Sequence, residues 1–204
     1  MIEPIYQELF EQKPGRLEKR KLQILESAVK VLSRQGWDGF SFEQISKEGG
    51  FTRPLMHHYF NSRDQLLHLI VQYVHFMRQA FLQERIQAAT TAKDQLNAYM
   101  QACLDWPEIS PSQAKVWMMF LQIASLQPDF QQKCTDWVDA DHEFLANLYQ
   151  KAQQELGLTS DEPLLRAKQT QLTLMGTFQS FMTEKWDPET RSFLKKTILE
   201  KCGP

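Results

Sequence analysis

Apolar residues recur at intervals of three and four positions along most of the chain, which is the spacing of one face of an α-helix. An expected first helix, residues 17–35, carries such a stripe at Leu22, Leu25, Val29 and Leu32. A longer helix after Ser62 carries it at Leu66, Leu67, Ile70, Val71, Val74, Met77 and Phe81. No segment alternates apolar and polar residues between turn signals, as strands do. The pattern therefore predicts an all-α protein.

Helix start and stop signals divide the helical pattern into separate helices. Ser41 and Gln44 have the spacing of a capping box, Gly36 stands where a left-handed C-cap is expected, and the helix that Ser41 opens is expected to stop at Gly49-Gly50. Pro107 is expected to end a helix that begins near Ala92, because proline cannot continue the hydrogen-bond ladder. Later helices are predicted at about residues 92–106, 110–126, 128–156, 162–185 and 188–201.

Between Ser41 and Leu67, short helical phrases lie on either side of Gly49-Gly50. Isolated helices shorter than about 12 residues are marginal in water, so these must pack on one another. Two short helices joined by a tight glycine-containing turn, after a supporting helix, are typical of a helix-turn-helix. The second short helix, TRPLMHHYF, is then expected to enter the DNA major groove. Its Met56 and Phe60 should face inward.

The exposed side of this second helix supplies candidate DNA contacts. Arg53 can donate two hydrogen bonds to a guanine edge, and Leu55 can pack on a thymine methyl group. His57 and Tyr59 are expected on or near the same side. Hydroxyls and cations at helix starts commonly meet phosphate, and the residues in such positions are Ser41, Thr52, Tyr59 and Arg63.

The charge distribution agrees with a DNA-binding segment. The net charge is −2, but residues 13–63 hold ten Lys or Arg against five acids, whereas residues 64–204 hold thirteen against seventeen. A basic segment on an acidic body is the asymmetry expected when one lobe meets phosphate. The alternative is a fluctuation of charge between solvated faces.

Composition places the protein in a broad class. With 42% hydrophobic and 24% charged residues, the chain is typical of a soluble globular protein. It has no apolar run of about 18 residues, so no membrane span is predicted. The N-terminus lacks the layout of an export signal, and Cys103, Cys134 and Cys202 are too scattered to indicate disulfides or a zinc site. We therefore expect a cytoplasmic protein.

Three phrases carry a family resemblance: the lead-in ILESAVKVLSRQGWDGFSFEQIS, the turn GGF and the ending HHYFNSRDQLL. They resemble the tetracycline-repressor (TetR) family of bacterial one-component regulators. The resemblance implies DNA contacts at Ser41, Thr52, Arg53, Pro54, Leu55, His57, Tyr59 and Arg63. Leu55, His57 and Gly49-Gly50-Phe51 depart from the usual family pattern, so we expect an operator of different sequence.

The resemblance also implies a domain layout. A long helix should join an N-terminal helix-turn-helix domain, residues 16–64, to a C-terminal ligand-binding and dimerisation bundle, residues 65–204. The last two helices, residues 162–185 and 188–201, would form the homodimer interface, and the small Gly176 is compatible with close helix approach. Residues 1–15 precede the helix-turn-helix domain as an N-terminal extension. Its apolar residues suggest one or two turns of an acidic amphipathic helix: Ile2, Ile5, Tyr6, Leu9 and Phe10.

Aromatic residues cluster in the middle of the body, where they can be either core or the lining of an apolar ligand cavity. The predicted ligand-binding residues are Tyr99, Cys103, Trp106, Trp117, Phe120, Trp137 and Phe144. The phrases AKVWMMFLQIASLQPDF and GTFQSFMTEKWDPE resemble choline-responsive repressors of betaine synthesis. An aromatic box beside Asp136, Asp139 or Asp141 could then hold a quaternary cation by cation–π attraction. The effector is therefore expected to be apolar or cationic.

Together these observations predict a ligand-responsive repressor that binds a palindromic operator as a dimer and is released by a small molecule. The alternative is a DNA-binding protein that acts through a protein partner without a small-molecule effector. An enzyme is disfavoured, because the chain has no Gly-rich phosphate loop and no nucleophile elbow. The adjacent His57 and His58 supply no i, i+4 metal pair, so neither a metal nor a cofactor is expected.

Overall fold

The computed structural model describes residue 9 and residues 15–158 and 162–204 of the 204-residue chain. Within these ranges all regular secondary structure is helical, which confirms the all-α prediction. The helices are α1 (Arg16–Gly39), α2 (Phe42–Gly49), α3 (Arg53–Tyr59), α4 (Arg63–Gln87), α5 (Ala92–Ile109), α6 (Pro111–Ala124), α7 (Pro128–Glu155), α8 (Pro163–Thr183) and α9 (Pro188–Lys201). Apart from the buried Leu9, the predicted amphipathic extension lies outside the described residues.

The described chain forms two compact units. The first extends to Ala80 and also includes Pro111–Phe120. In it, α2 packs against α1 and α3. This part of the chain contains both short helices, and its apolar side chains without exposed surface include Ile24, Leu25, Leu32, Ile45, Met56, Phe60 and Leu66. Helices of this length are marginal alone, so burial of these apolar side chains is what holds them in place.

Gly36 interrupts α1. Its φ of 66° and ψ of −161° are not helical, and a left-handed φ of this kind favours glycine. The predicted break at Gly36 is therefore confirmed, although a further short turn continues α1 to Gly39. The N–H of Phe40 closes that turn by donating to the carbonyl of Trp37 at 3.2 Å.

The second unit comprises Phe81–Ser110 and Leu121–Pro204. Helices α5, α7 and α8 pack on one another, and α9 packs on α5. Their shared core contains Leu96, Met100, Leu104, Leu145, Leu148, Ala167 and Leu174. Lys195 of α9 pairs with Asp105 of α5 at 2.8 Å. None of the described helices is long and apolar enough to cross a membrane.

The expectation that Pro107 ends α5 is wrong. The helix continues to Ile109, and the N–H of Ser110 closes it on the carbonyl of Trp106 at 2.8 Å. A proline in the last turn of a helix forfeits only the one hydrogen bond that its missing N–H would have made to the carbonyl four residues earlier. The buried environment of Trp106 and Pro107 offsets that loss, since both residues pack in the interior.

Candidate DNA-binding site and ligand-binding residues

Helix α2 has a capping residue at each end, and its C-terminal cap forms the turn to α3. Ser41 caps α2, and its Oγ accepts a hydrogen bond from the N–H of Gln44 at 3.3 Å. At the other end Gly50 takes the left-handed conformation, with φ 65° and ψ 32°, and its N–H returns to the carbonyl of Ser46. Only two residues, Phe51 and Thr52, then separate Gly50 from the start of the next helix at Arg53. The predicted end of α2 at Gly49-Gly50 is confirmed.

Helix α3 has one buried and one exposed side. Met56 and Phe60 have no exposed surface, as predicted from their four-residue spacing. Arg53 and His57 are exposed on the other side, with Pro54 and His58. Leu55 and Tyr59 are half-buried, so they contribute part of their surface to this side. The arrangement leaves the α3 surface open to a partner while its apolar side anchors it.

His57 packs against α2. Its ring lies edge-on to the ring of Phe42, with centroids 5.1 Å apart and planes at 73°. Edge-to-face contacts of this kind are favourable for aromatic rings. The contact restricts the imidazole of an exposed residue, and sequence reasoning missed it because Phe42 lies on a different helix and leaves no local signal.

Arg63 also makes a contact that the sequence did not indicate. From the start of α4 its Nη2 donates to the carbonyl of Trp37 at 2.8 Å. Its Cζ lies 5.1 Å from the ring centroid of the buried Phe40, within range of a cation–π interaction. An arginine has five N–H donors, so others can still reach phosphate. Arg63 therefore attaches the start of α4 to the last turn of α1 and to Phe40, whatever its role toward DNA.

Further contacts attach the α2–α3 pair to α1. Arg20 places its Cζ 4.7 Å from the ring centroid of Phe51, which lies in the connection between α2 and α3. Arg34 pairs with Glu48 of α2 at 3.1 Å. The Arg34 side chain is largely exposed, so this ion pair contributes little energy by itself. Both contacts maintain the register of the short helices on their support.

In the second unit, three predicted ligand-binding residues share one face of α5. Tyr99, Cys103 and Trp106 are spaced by four and three positions. Tyr99 is buried, lies 6.0 Å from the ring centroid of Phe144 on α7, and donates its hydroxyl to Gln171 Oε1 on α8 at 3.2 Å. Trp106 is also buried and faces α8. This face of α5 therefore lies against both α7 and α8.

Two of the other predicted ligand residues belong to a different unit. Trp117 and Phe120, with ring centroids 5.1 Å apart, belong to the first unit. There Trp117 stacks on His75 at 5.8 Å, and Arg78 places its Cζ 5.6 Å from the same ring. His75 and Arg78 both lie on α4. The apolar periodicity of that helix gave no indication of these two polar contacts to Trp117. The predicted set is therefore divided between the two units.

The three acids proposed beside an aromatic box differ in exposure. Asp136 and Asp139 are exposed, and Asp136 accepts a hydrogen bond from Gln132 at 2.8 Å. Asp141 is only 9% exposed. It lies one helical turn after the half-buried Trp137, so both belong to the inward side of α7. Of the three, Asp141 is the one that the structure buries.

Burial perturbs several titratable groups. It raises the pKa of the Cys134 thiol and of the Tyr149 phenol. It also raises the pKa of Tyr73, and the nearby Glu26 carboxylate acts in the same direction. These groups stay protonated at neutral pH. Among the described residues no group of three or more His, Cys, Asp or Glu side chains could hold a metal ion.

Residues 24–70 match the family model described as bacterial regulatory proteins, tetR family. The matched residues include both short helices and the buried side chains that join them to α1 and α4. Over residues 24–70 the chain therefore matches the TetR family. The resemblance predicted from the sequence is confirmed, and the family consists of regulatory proteins rather than enzymes.

Relatives in sequence are distant. The HTH-type transcriptional regulator BetI of Stenotrophomonas maltophilia is 25% identical over 111 residues, which are 54% of this chain and 57% of that protein. The chain thus spans about half the length of the first curated relatives that it matches. The expected similarity to choline-responsive BetI repressors is confirmed as a distant one.

Solved structures show the same fold over nearly the whole chain. A transcriptional regulator from Saccharomonospora viridis, solved in complex with choline, has a TM-score of 0.77 at 17% identity and covers 89% of this chain and 94% of its own. AibR, solved with isovaleryl coenzyme A and operator DNA, has a TM-score of 0.67 at 18% identity. The match covers 89% of this chain and 97% of AibR. At these identities the likeness establishes the TetR-like helical fold.

Proposed function

We propose that this TetR-family chain is a transcriptional repressor that binds a palindromic operator as a dimer and releases it when a small molecule binds the second unit. The observation that carries the proposal is the geometry of α3. Its buried Met56 and Phe60 anchor the helix, and Arg53 and His57 are exposed on the other side. A helix presented in this way fits the major groove of DNA.

Within this proposal the exposed residues have different roles. Arg53 stands at the first position of α3, where a guanidinium can make a bidentate contact with guanine. Ser41, Thr52 and Tyr59 are placed to contact phosphate, which fixes register without reading sequence. His57, held by Phe42, presents its imidazole at the same surface. Pro54 and Leu55 supply apolar contact.

Binding of the purified protein to DNA tests these roles. The probe is a fragment recovered by selection from genomic DNA, compared with a scrambled fragment over a salt series. Arg53→Ala should cost about 1–3 kcal/mol and relax preference at one base pair. Arg63→Ala should reduce the salt slope by about one and also destabilise the first unit, because the bond to Trp37 is lost.

The matched control for charge is Lys93→Ala, which removes an exposed cation from α5. It should leave both affinity and salt slope unchanged. If Arg53→Ala behaved like Lys93→Ala, α3 would not be the reading helix. If the wild-type protein bound selected and scrambled DNA equally, sequence-specific repression would be ruled out.

Exposed apolar residues on α8 and α9 support the dimer. Leu172 is 70% exposed and Phe193 is 67% exposed, and Leu165 lies two turns before Leu172 on the same side of α8. Contiguous exposed apolar surface is typical of an interaction site. Leu172→Glu should shift the sedimentation coefficient from dimer to monomer. Leu126→Glu is the control, since Leu126 is 76% exposed but lies outside both helices.

Helix α4 supplies a route for regulation, because it begins in the first unit and ends in the second. A ligand can shift such a protein only through a difference in affinity between two states. Structural relatives with bound choline and bound isovaleryl coenzyme A support a small-molecule effector. A thermal-shift series should show stabilisation by one class. Stabilisation by neutral lipophilic compounds but not by choline would exclude the cationic class.

A further inference from the structure

Trp106 carries a buried hydrogen-bond donor that has no acceptor among the described residues. Its side chain is 2% exposed, and the indole Nε1 is buried. Most buried polar groups in folded proteins have a partner, and each exception calls for an explanation. A buried donor without one carries the full cost of its lost hydration. The position of this N–H is therefore informative about function.

The stacked ring of Phe178 does not satisfy the donor. Trp106 and Phe178 are stacked, with ring centroids 6.0 Å apart and planes at 24°. The indole N–H lies in the plane of its own ring, so it points alongside Phe178 and not at its face. An N–H···π bond requires the donor to point at the face of the other ring. The stacking fixes the orientation of the indole, and no described residue accepts from its N–H edge.

The surrounding helices show where that edge lies along α5. Tyr99 pairs with Gln171, and Trp106 pairs with Phe178. Both partners are seven residues further along their own helix, so α5 and α8 run parallel here. Trp106 is thus two turns beyond Tyr99 on the same inward face. The polar group of Tyr99 has a partner on α8, whereas the polar group of Trp106 has none among the described residues.

We infer that the indole N–H of Trp106 donates a hydrogen bond to an acceptor oxygen of the effector, a carbonyl or carboxylate. This rests on the proposed function, because it assigns the chemistry of the effector for the same α5 face. A quaternary ammonium group has no lone pair and cannot accept this bond. One face of the indole is covered by Phe178, so the contribution of Trp106 to recognition is its N–H edge.

Indole nitrogen resonances of the full-length chain test the inference. The protein has five tryptophans, and the Trp106 signal is assigned by its loss in Trp106→Phe, or by elimination with the other four variants. Trp186 is an internal reference for a bonded indole, since its Nε1 donates to the carbonyl of Ser180 at 3.3 Å. In the ligand-free protein the Trp106 proton should resonate upfield of the Trp186 proton.

Two probes of matched size distinguish the acceptor from the cation. N,N-dimethylhexanamide carries a carbonyl acceptor, and hexyltrimethylammonium carries a quaternary cation on a similar chain. The amide should move the Trp106 proton downfield, and the cation should not. Trp106→Phe, which keeps a ring and removes the donor, should raise the Kd for the amide about five- to tenfold, as expected for one hydrogen bond. Trp186→Phe should leave that Kd unchanged.

Three results would overturn the inference: a Trp106 proton that is already downfield without ligand, a resonance that neither probe moves, or equal movement by both probes. Failure of the proposed function is separate from these results. It would appear as loss of specific DNA binding, or as DNA that the amide does not release although the Trp106 resonance moves. In the latter case the acceptor site would stand and its regulatory role would fail.

Discussion

The carboxylate of Glu155 caps a helix from which it is distant in sequence, and its removal is the sharpest test of packing in the second unit. Glu155 is the last residue of α7, and both carboxylate oxygens accept from the N–H of Ala92 at 2.9 Å. The N–H of Lys93 donates to the same group at 3.3 Å. These N–H groups belong to the first turn of α5, where helical partners are missing.

The expected magnitude follows from this geometry. Loss of a capping side chain costs about 0.5–2 kcal/mol, and a charge at a helix N-terminus contributes about 0.3–1 kcal/mol when exposed. Thr91 still caps α5 through the N–H of Asp94 at 3.1 Å, so part of the capping survives. We therefore expect Glu155→Ala to lower the free energy of unfolding by about 1–1.5 kcal/mol. Glu155→Gln, which keeps an acceptor oxygen, should cost about half as much.

Thermal unfolding monitored by circular dichroism at fixed protein concentration measures the effect. For a chain of this size, 1 kcal/mol corresponds to about 2–4 °C in Tm. Gln154→Ala is the matched control, because Gln154 is the exposed neighbour of Glu155 on α7. Equal Tm values for Glu155→Ala and Gln154→Ala would refute the capping role. A larger loss for Glu155→Gln than for Glu155→Ala would refute the assignment of the loss to removed acceptors.

Two further predictions concern single residues. Gly50→Ala should destabilise the first unit by about 1–2 kcal/mol, because alanine is strained at φ 65°. Gly50→Asn should cost less, because asparagine tolerates the left-handed conformation better. Urea unfolding of both variants checks this order of stabilities. Tyr149→Phe should cost about 1 kcal/mol, because the phenol contacts Thr170 at 2.6 Å and donates to the carbonyl of Cys202. Burial raises the pKa of Tyr149, so the unfolded phenol ionises first and wild-type stability falls as pH rises above about 10. Tm measured between about pH 8 and pH 11 should fall less steeply in Tyr149→Phe; an equal fall in both proteins would contradict this.

The DNA-binding region could be predicted largely from its sequence because its signals are local. The left-handed cap at Gly50, the Ser41 cap and the inward positions of Met56 and Phe60 all depend on residues within four or five positions of one another. The family resemblance rests on the same short segment. Its DNA contacts remain predictions, since they depend on a partner molecule.

The predicted ligand-binding residues show where local reasoning is insufficient. Helical spacing places Tyr99, Cys103 and Trp106 on one face, but it cannot say which rings they meet. Trp106 stacks on Phe178, which was not among the predicted residues. Trp117 instead belongs to the first unit, beside His75 and Arg78. Local spacing also misjudged Pro107, because helix termination depends on what surrounds the last turn.

The sequence by itself determined the helical class, most helix limits and the position of the short helix α3, because periodicity, caps and left-handed glycines act over one or two turns. Only the tertiary structure decided the contacts that join distant segments. Phe42 against His57, Arg63 on Trp37 and Glu155 on the start of α5 connect different helices. That the N–H of Trp106 meets no acceptor among the described residues is also known only from the packed interior. Hydrogen bonding and burial depend on the arrangement of neighbours in space, and the order of residues along the chain does not specify that arrangement directly.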